Sequence, residues 1–122
     1  MIDIIPAVLT DSSLKFKELV HKLETYTKRV HIDIADGTLV PNTTVKGYEE
    51  LKDIEAAVKF DVHLMVARPD EHLKDWLHTH ADRFIIHIES ALQGHPVLQD
   101  APVISSIINK LHENRRKIGL AL

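Results

Sequence analysis

Two histidines and an aspartate are the residues in this sequence whose types and spacing most directly suggest chemistry. The motif His31-Ile32-Asp33 lies in one short apolar run, and His63 lies in the next. Imidazole nitrogens and carboxylate oxygens are the protein ligands of catalytic Zn, Mn, Fe and Co sites, which keep positions open for a substrate. An inward histidine can equally be a hydrogen-bonded core residue. The residues alone therefore leave both a divalent metal site and a satisfied polar core open.

The composition limits the kinds of site and partner that the protein can have. The 122 residues include no cysteine, so thiolate chemistry and cysteine zinc sites are excluded, and any metal must be held by His, Asp or Glu. The 15 Lys and Arg are outnumbered by 18 Asp and Glu, which argues against a nucleic-acid partner. No apolar window approaches the roughly 20 residues of a membrane span, and the amino terminus lacks the basic region of a secretory signal. We therefore expect no membrane partner and a cytoplasmic location.

The hydrophobic periodicity predicts strands that alternate with helices. Short apolar runs predict five strands, at residues 4–9, 29–36, 60–66, 84–89 and 117–122. Apolar stripes of helical period predict four helices, within residues 16–23, 48–57, 69–77 and 104–111. A turn-rich loop is expected at residues 38–44, and a looser stretch around Gly94 and Pro96. This order predicts one α/β domain over residues 1–122, with a parallel sheet and right-handed crossovers.

Residue parity divides the middle strands into two different faces. Alternate residues of a strand point to opposite sides of the sheet, and here one side is entirely aliphatic. The other side carries polar residues, which we expect to converge on the interior of a barrel. These inward residues are His31, Asp33, Asp61, His63, Met65, His87 and Glu89. We expect Asp61 to cap its strand or pair locally, and the remaining histidines to lie on solvated surface.

Several motifs in the predicted order resemble the ribulose-phosphate 3-epimerase family. They are the run from Ile4 to Leu9, the motif from His31 to Gly37 with Val40-Pro41-Asn42 after it, and the motif from Asp61 to Met65. Residues 83–89 and 117–122 resemble the family's fourth and fifth strands. The resemblance implies an α/β fold of the parallel (β/α)8 TIM-barrel type that binds ribulose phosphates. This chain would hold about five strands and four helices of it.

The resemblance also implies an activity. Members interconvert D-ribulose 5-phosphate and D-xylulose 5-phosphate at C3 in the pentose phosphate pathway, using a divalent metal whose identity (Zn, Fe, Mn or Co) stays open here. The family's metal ligands correspond to His31, Asp33 and His63, and Asp33 is also one of two acid/base carboxylates. His63 and Met65 correspond to residues that line the substrate. Inversion beside a ketone requires proton removal on one face and return on the other, with stabilisation of the enediolate between these steps.

Two positions depart from the family pattern. Ala7 stands where a serine usually contacts the substrate, and Ala35 stands where a methionine is usual. Both changes enlarge or depolarise the pocket, so an epimerase for a hexulose 6-phosphate is an alternative. A non-catalytic binding or assembly module is another. A decarboxylase or aldol-type synthase on a phosphate-binding barrel is a third, but the Asp-x-Lys-x-x-Asp cluster expected of it is missing.

The length raises a separate expectation. A (β/α)8 barrel needs about 200 residues or more. In the resembling family, the second catalytic aspartate, which is also the fourth metal ligand, and the phosphate-binding loops lie on later strands. Three explanations are open: a fragment, one half of a split enzyme with a complementary half, or a half-barrel that closes as a homo-oligomer. We expect a fragment, because the sequence stops within its predicted fifth strand. Weak or no epimerase turnover is expected from this chain alone.

Overall fold

Five parallel strands alternate with helices along the chain. The computed structural model describes residues 2–92 and 97–121. Within this part the elements are β1 (Ala7–Val8), α1 (Ser13–Leu23), β2 (Arg29–Ala35), α2 (Tyr48–Lys52), β3 (Lys59–Met65), α3 (Pro69–Trp76), β4 (Arg83–His87), α4 (Ile88–Leu92), α5 (Val97–Glu113) and β5 (Lys117–Ala121). The strands pair in sequence order, and every neighbouring pair is parallel. This is the predicted architecture of a partial (β/α) barrel.

The aliphatic face of the sheet forms the hydrophobic core. Its side chains are buried against the helices, as the parity of the sequence predicts. The strands contribute Val30, Ile32, Ile34, Phe60, Val62, Leu64, Phe84 and Ile86, and the helices contribute Phe16, Val20, Leu51, Leu73, Trp76, Ile107 and Leu111. Removal of this apolar area from water stabilises the layered arrangement and leaves the opposite face of the sheet free for polar residues.

Local sequence signals set the first and third helices. The hydroxyl of Ser12 accepts a hydrogen bond from the Lys15 N–H at 3.2 Å and caps α1, as expected for its position. Pro69 occupies the first turn of α3, where its missing N–H costs no helical hydrogen bond. Both helices then place apolar residues on the face that meets the sheet.

Several predicted boundaries were wrong. The first strand was predicted at residues 4–9, but only Ala7–Val8 pair with β2, because Pro6 has no N–H to donate to a strand ladder. The second strand ends one residue early, at Ala35. The second helix ends at Lys52, because the N–H groups of Asp53 and Ile54 form tighter turns to the carbonyls of Glu50 and Leu51.

The end of the fourth strand also differs from the prediction. The strand stops at His87, and the next two residues, Ile88 and Glu89, open the short helix α4. The hydroxyl of Ser90 donates to the carbonyl of His87 at 2.8 Å, which satisfies this oxygen where the ladder ends. Glu89 is therefore not an inward strand residue, and the described residues hold five helices where four were expected. Gly94, His95 and Pro96 lie outside the described residues.

The loop after β2 is fixed at both of its ends. At its start, Asp36 accepts hydrogen bonds from the N–H groups of Thr38 and Ala67, both at 2.9 Å, and so ties this loop to the one after β3. At its end, Gly47 has a φ of 81°, and a Cβ added there would lie 2.6 Å from Cδ1 of Ile34. Glycine is required at this close approach. In the described part of the chain, no helix is long and apolar enough to cross a membrane.

A charged network fills the inner face of the sheet near the amino ends of the strands. Asp61 is 3% exposed and pairs with Arg29 on β2 and, at 3.3 Å, with Arg83 on β4. Arg29 also reaches Asp82 at 3.0 Å, and Lys117 lies 3.8 Å from the same carboxylate. The expectation that Asp61 pairs only locally was wrong, because both partners lie on neighbouring strands. Buried charges of this kind depend on every partner being present.

Removal of the Asp61 charge should therefore destabilise the fold. Because Asp61→Asn leaves two arginines facing each other without a buried counter-charge, we expect the free energy of unfolding to fall by about 3 kcal/mol. Urea denaturation of the purified full chain measures this change. The control is Asp53→Asn, since Asp53 is 71% exposed and its ion pair within the described residues is with Lys17 at 3.5 Å. Equal losses in the two variants would contradict the assigned role of Asp61.

Asp36 should contribute stability that depends on pH. Burial opposes ionisation, but the N–H groups of Ala67, Thr38 and Leu39 outweigh it and hold the pKa of Asp36 below its ordinary value. A group with a lowered folded-state pKa stabilises the fold above its unfolded pKa and loses that effect as the pH falls through the folded pKa. Wild type should therefore exceed Asp36→Asn in unfolding free energy above about pH 5, and the difference should shrink below about pH 4. Urea titrations across this range would contradict the assignment if the difference stayed constant.

Candidate metal centre

The pairing of β2 with β3 brings together the residues that the sequence singles out. In this parallel register Asp33 lies directly opposite His63, and His31 precedes Asp33 by two residues on the same face. All three side chains lie on the inner face, away from the aliphatic core. The site is therefore built on two adjacent strands, which hold side chains more rigidly than loops do.

The two imidazoles converge on a single carboxylate oxygen. Nε2 of His31 lies 3.1 Å from Oδ1 of Asp33, and Nδ1 of His63 lies 2.9 Å from the same atom. Ligand atoms of the three residues all lie within 4.8 Å of one another. The side chains are between 18% and 23% exposed, so the cluster is partly shielded from water and still accessible.

The hydrogen bonds of the cluster shift its protonation equilibria. The bonds from His31 and then His63 hold the pKa of Asp33 well below its usual value, against the opposing effect of burial. The bond to Asp33 raises the pKa of His31, although burial partly offsets this effect. Asp33 is consequently an ionised carboxylate at neutral pH, which is the state required of a metal ligand or a general base.

The donor set fits a divalent transition metal. Two imidazole nitrogens and one carboxylate oxygen match the three-ligand pattern of catalytic sites that leave positions for substrate oxygens. His31 and His63 already hydrogen-bond the Asp33 carboxylate, so this carboxylate can remain ionised although it is partly buried. Within the described residues, His31, Asp33 and His63 form the one such cluster of three or more His, Asp or Glu residues.

The other predicted site residues lie close to the cluster. Ala7 of β1 is the register partner of His31, and Met65 is two residues beyond His63 on the same face, opposite Ala35. Ala7 is exposed and Met65 is partly buried. The first strand and the end of the third strand thus border the candidate metal centre with small or apolar side chains.

A fourth residue, His87, was not assigned a role from the sequence. The alternation of residues in β4 predicts that His87 lies on the inner face. This alternation is the feature of the sequence that could have identified it. Its Nε2 lies 2.7 Å from Nε2 of His63, within hydrogen-bond distance. The cluster therefore extends over three strands as a chain of side chains, from His31 through Asp33 and His63 to His87.

Comparison with known proteins identifies relatives of this architecture. A sequence profile of the ribulose-phosphate 3 epimerase family matches residues 3–122. The ribulose-phosphate 3-epimerase of Treponema pallidum is 34% identical over 96 residues, which cover 76% of this chain and 44% of that protein. The chloroplastic ribulose-5-phosphate-3-epimerase of Arabidopsis thaliana is 30% identical over 120 residues, 96% of this chain and 40% of that protein.

The matched regions show how much of this chain and of each relative can be aligned. The ribulose-phosphate 3-epimerase of Aquifex aeolicus is 38% identical over 72 residues, which cover 57% of this chain and 32% of that protein. The chain thus spans less than half the length of these curated relatives. The profile nevertheless covers almost the whole chain and includes all five strands. The chain belongs to the ribulose-phosphate 3-epimerase family.

Proposed function

We propose that this polypeptide serves the metal-dependent epimerisation of a ketose phosphate at C3, converting D-ribulose 5-phosphate to D-xylulose 5-phosphate in the pentose phosphate pathway. The single observation that carries the proposal is the Asp33 carboxylate held between His31 and His63. The names of the relatives support the same reaction. The proposed substrate is a sugar phosphate, and a cytoplasmic location is part of the proposal.

The proposed metal ligands are His31, Asp33 and His63. A divalent ion bound there, whether Zn, Fe, Mn or Co, would supply a Lewis acid for the negative charge that develops on the ketone oxygen. The two histidines also hold Asp33 in one orientation, since each of them hydrogen-bonds the same carboxylate oxygen. The residues of this chain thus provide a fixed, partly exposed anionic group.

Asp33 is the proposed acid/base residue on one face of the substrate. In the part of the chain that the structure describes, both imidazoles contact Oδ1, so Oδ2 is the oxygen left to receive a proton. Because Asp33 is ionised at neutral pH, it is in the state that accepts the C3 proton. We propose that Met65 borders the substrate with an apolar wall and that Ala7 takes the place of a hydroxyl contact.

A hexulose 6-phosphate is the second candidate substrate. The observation that favours it is the pair of small side chains beside the site, Ala7 opposite His31 and Ala35 opposite Met65. A smaller side chain leaves more volume for a substrate that is one carbon longer. The same acid/base chemistry would apply, so a comparison of substrates distinguishes the two candidates. Association into a homo-oligomer, or with a complementary half, is part of the proposal for the working enzyme.

Metal binding should depend on His63 and not on surface histidines. His63→Gln removes one of three proposed ligands, so we expect bound Zn or Co per chain to fall at least about tenfold at limiting metal. The control is His112→Gln, because His112 is exposed on α5. Elemental analysis after equilibrium dialysis gives the stoichiometry. Wild-type metal content in His63→Gln would reject the proposed ligand set.

The proton transfer can be tested separately from full epimerisation. In D2O, exchange at C3 of ribulose 5-phosphate requires one base on one face, and NMR detects the incorporated deuterium. We expect the full chain with added metal to catalyse this exchange, and Asp33→Asn to slow it by about 100-fold or more. Asp53→Asn, an exposed control, should exchange at the wild-type rate.

The outcomes of the exchange experiment separate the candidate functions. Faster exchange at C3 of a hexulose 6-phosphate would favour the second substrate. Metal binding without exchange of either sugar phosphate would favour a non-catalytic binding or assembly module and reject the epimerase proposal for this chain. Exchange that is equal in Asp33→Asn and wild type would remove Asp33 from the acid/base role.

A further inference from the structure

We propose that His87 is a positioning residue for the metal centre. Its Nε2 hydrogen-bonds Nε2 of His63, so that Nδ1 of His63 is the nitrogen left to face Asp33 and bind the metal. This inference rests on the proposed function, because it assumes that His63 is a metal ligand. It gives a role to β4, the third strand that contributes a side chain to the cluster. Neither the sequence pattern nor the proposed ligand set explains why His87 lies there.

The geometry of the two rings is that of a hydrogen bond and not of face-to-face stacking. The ring centroids are 4.9 Å apart and the ring planes differ by 24°. The two Nε2 atoms are 2.7 Å apart, so the centroid separation is close to this distance plus the radii of both rings. The nitrogens therefore lie nearly on the line between the ring centres, where an N–H bond in one ring plane points directly at the other nitrogen.

This contact couples the tautomers of the two rings. Two nitrogens at this distance cannot both carry a proton, and two lone pairs would repel each other, so one Nε2 donates and the other accepts. While Nδ1 of His63 donates to Asp33, Nε2 of His63 accepts and Nε2 of His87 donates. If Nδ1 of His63 were to hold a metal ion, the ring proton would sit on Nε2, which would then donate to His87. His87 would in turn carry its proton on Nδ1, so each ring would keep one proton.

Glu89 lies on the far side of His87. Its Oε2 is 3.7 Å from Nδ1 of His87, and the carboxylate is 56% exposed at the start of α4. Its negative charge favours an N–H on Nδ1 of His87, which is the tautomer required when a metal is bound. The carbonyl of His87 is held by the hydroxyl of Ser90 at 2.8 Å, so the backbone beneath the ring is fixed. The Nε2 end of the ring is thus held by His63 and the backbone by Ser90, while Glu89 acts on Nδ1 through its charge.

The proposal predicts a loss of metal affinity that a hydrogen-bonding replacement restores. Outer residues that orient ligating histidines typically contribute about 10–100-fold to metal affinity. We expect His87→Leu to weaken Zn binding to the full chain by about tenfold or more, measured by competition with a chromogenic chelator. His87→Gln keeps an amide near the position of Nε2 and should restore most of the affinity. His112→Leu is the matched control on the exposed face of α5 and should bind as wild type does.

A spectroscopic measurement separates positioning from a general effect on folding. In the metal-free chain labelled with 15N-histidine, NMR should detect a 15N–15N coupling between the two Nε2 atoms through the hydrogen bond. Addition of Zn should move the proton of His63 from Nδ1 to Nε2, as seen in two-bond 1H–15N spectra. In His87→Leu with Zn added, a folded spectrum in which the Nε2–H of His63 exchanges rapidly with water, because its acceptor is gone, is the expected signature of lost positioning.

The possible results are distinguishable. If wild type binds Zn and His87→Leu binds it equally well with an equally slow exchange of the His63 Nε2–H, the positioning role is rejected and the proposed metal centre stands. If wild type binds no Zn, the proposed metal centre is rejected and the positioning role is rejected with it. Weaker binding in His87→Leu, rescue in His87→Gln and the tautomer change on Zn addition together support the role of His87.

Discussion

The in-register parallel pairing of β2 with β3 is the constraint on which the rest of the molecule depends. It places Asp33 opposite His63 and sends their side chains to one face while the intervening Ile32 and Val62 are buried on the other. A slip of one residue in either strand would exchange these faces, burying ionisable groups in the core and exposing aliphatic ones. The burial of the apolar face therefore fixes the geometry of the polar site on the opposite face of the sheet.

The inner face of the sheet carries two groups of paired polar side chains. Near the amino ends of the strands, Asp61 is neutralised by two arginines, and farther along, Asp33 accepts hydrogen bonds from two imidazoles. In the first group Asp61 is almost fully buried, and its charge is paired with both arginines. In the second group the carboxylate itself is partly exposed, and the three residues keep their ligand atoms within 4.8 Å of one another. Charge inside a protein must be compensated. This requirement produces a structural ion-pair network around Asp61 and a candidate reactive carboxylate at Asp33.

The sequence was sufficient to predict the fold class, the parallel sheet and the convergence of His31, Asp33 and His63, because these follow from period-2 alternation in strongly apolar strands. It did not predict that β1 shrinks to Ala7–Val8 or that β4 stops at His87, since strand ends are decided by backbone hydrogen bonds that single-residue patterns do not encode. The partners of Asp61 were missed for a related reason: both arginines are distant in sequence and become neighbours only through the sheet register. Parity placed His87 on the correct face, but its distance from His63 is a property of tertiary structure.

The loop that leaves β2 combines fixed ends with an exposed centre. Asp36 is anchored to the backbone at one end, where it also forms a β-bridge with Thr43. Gly47 lies against Ile34 and Trp76 at the other end, and Pro41 and Asn42 between the anchors are exposed. Substitutions at these two positions remove neither anchor, so the middle of the loop can diversify at little cost to folding. Directed evolution of this loop would accordingly begin with a library confined to these two positions, keeping both anchors constant.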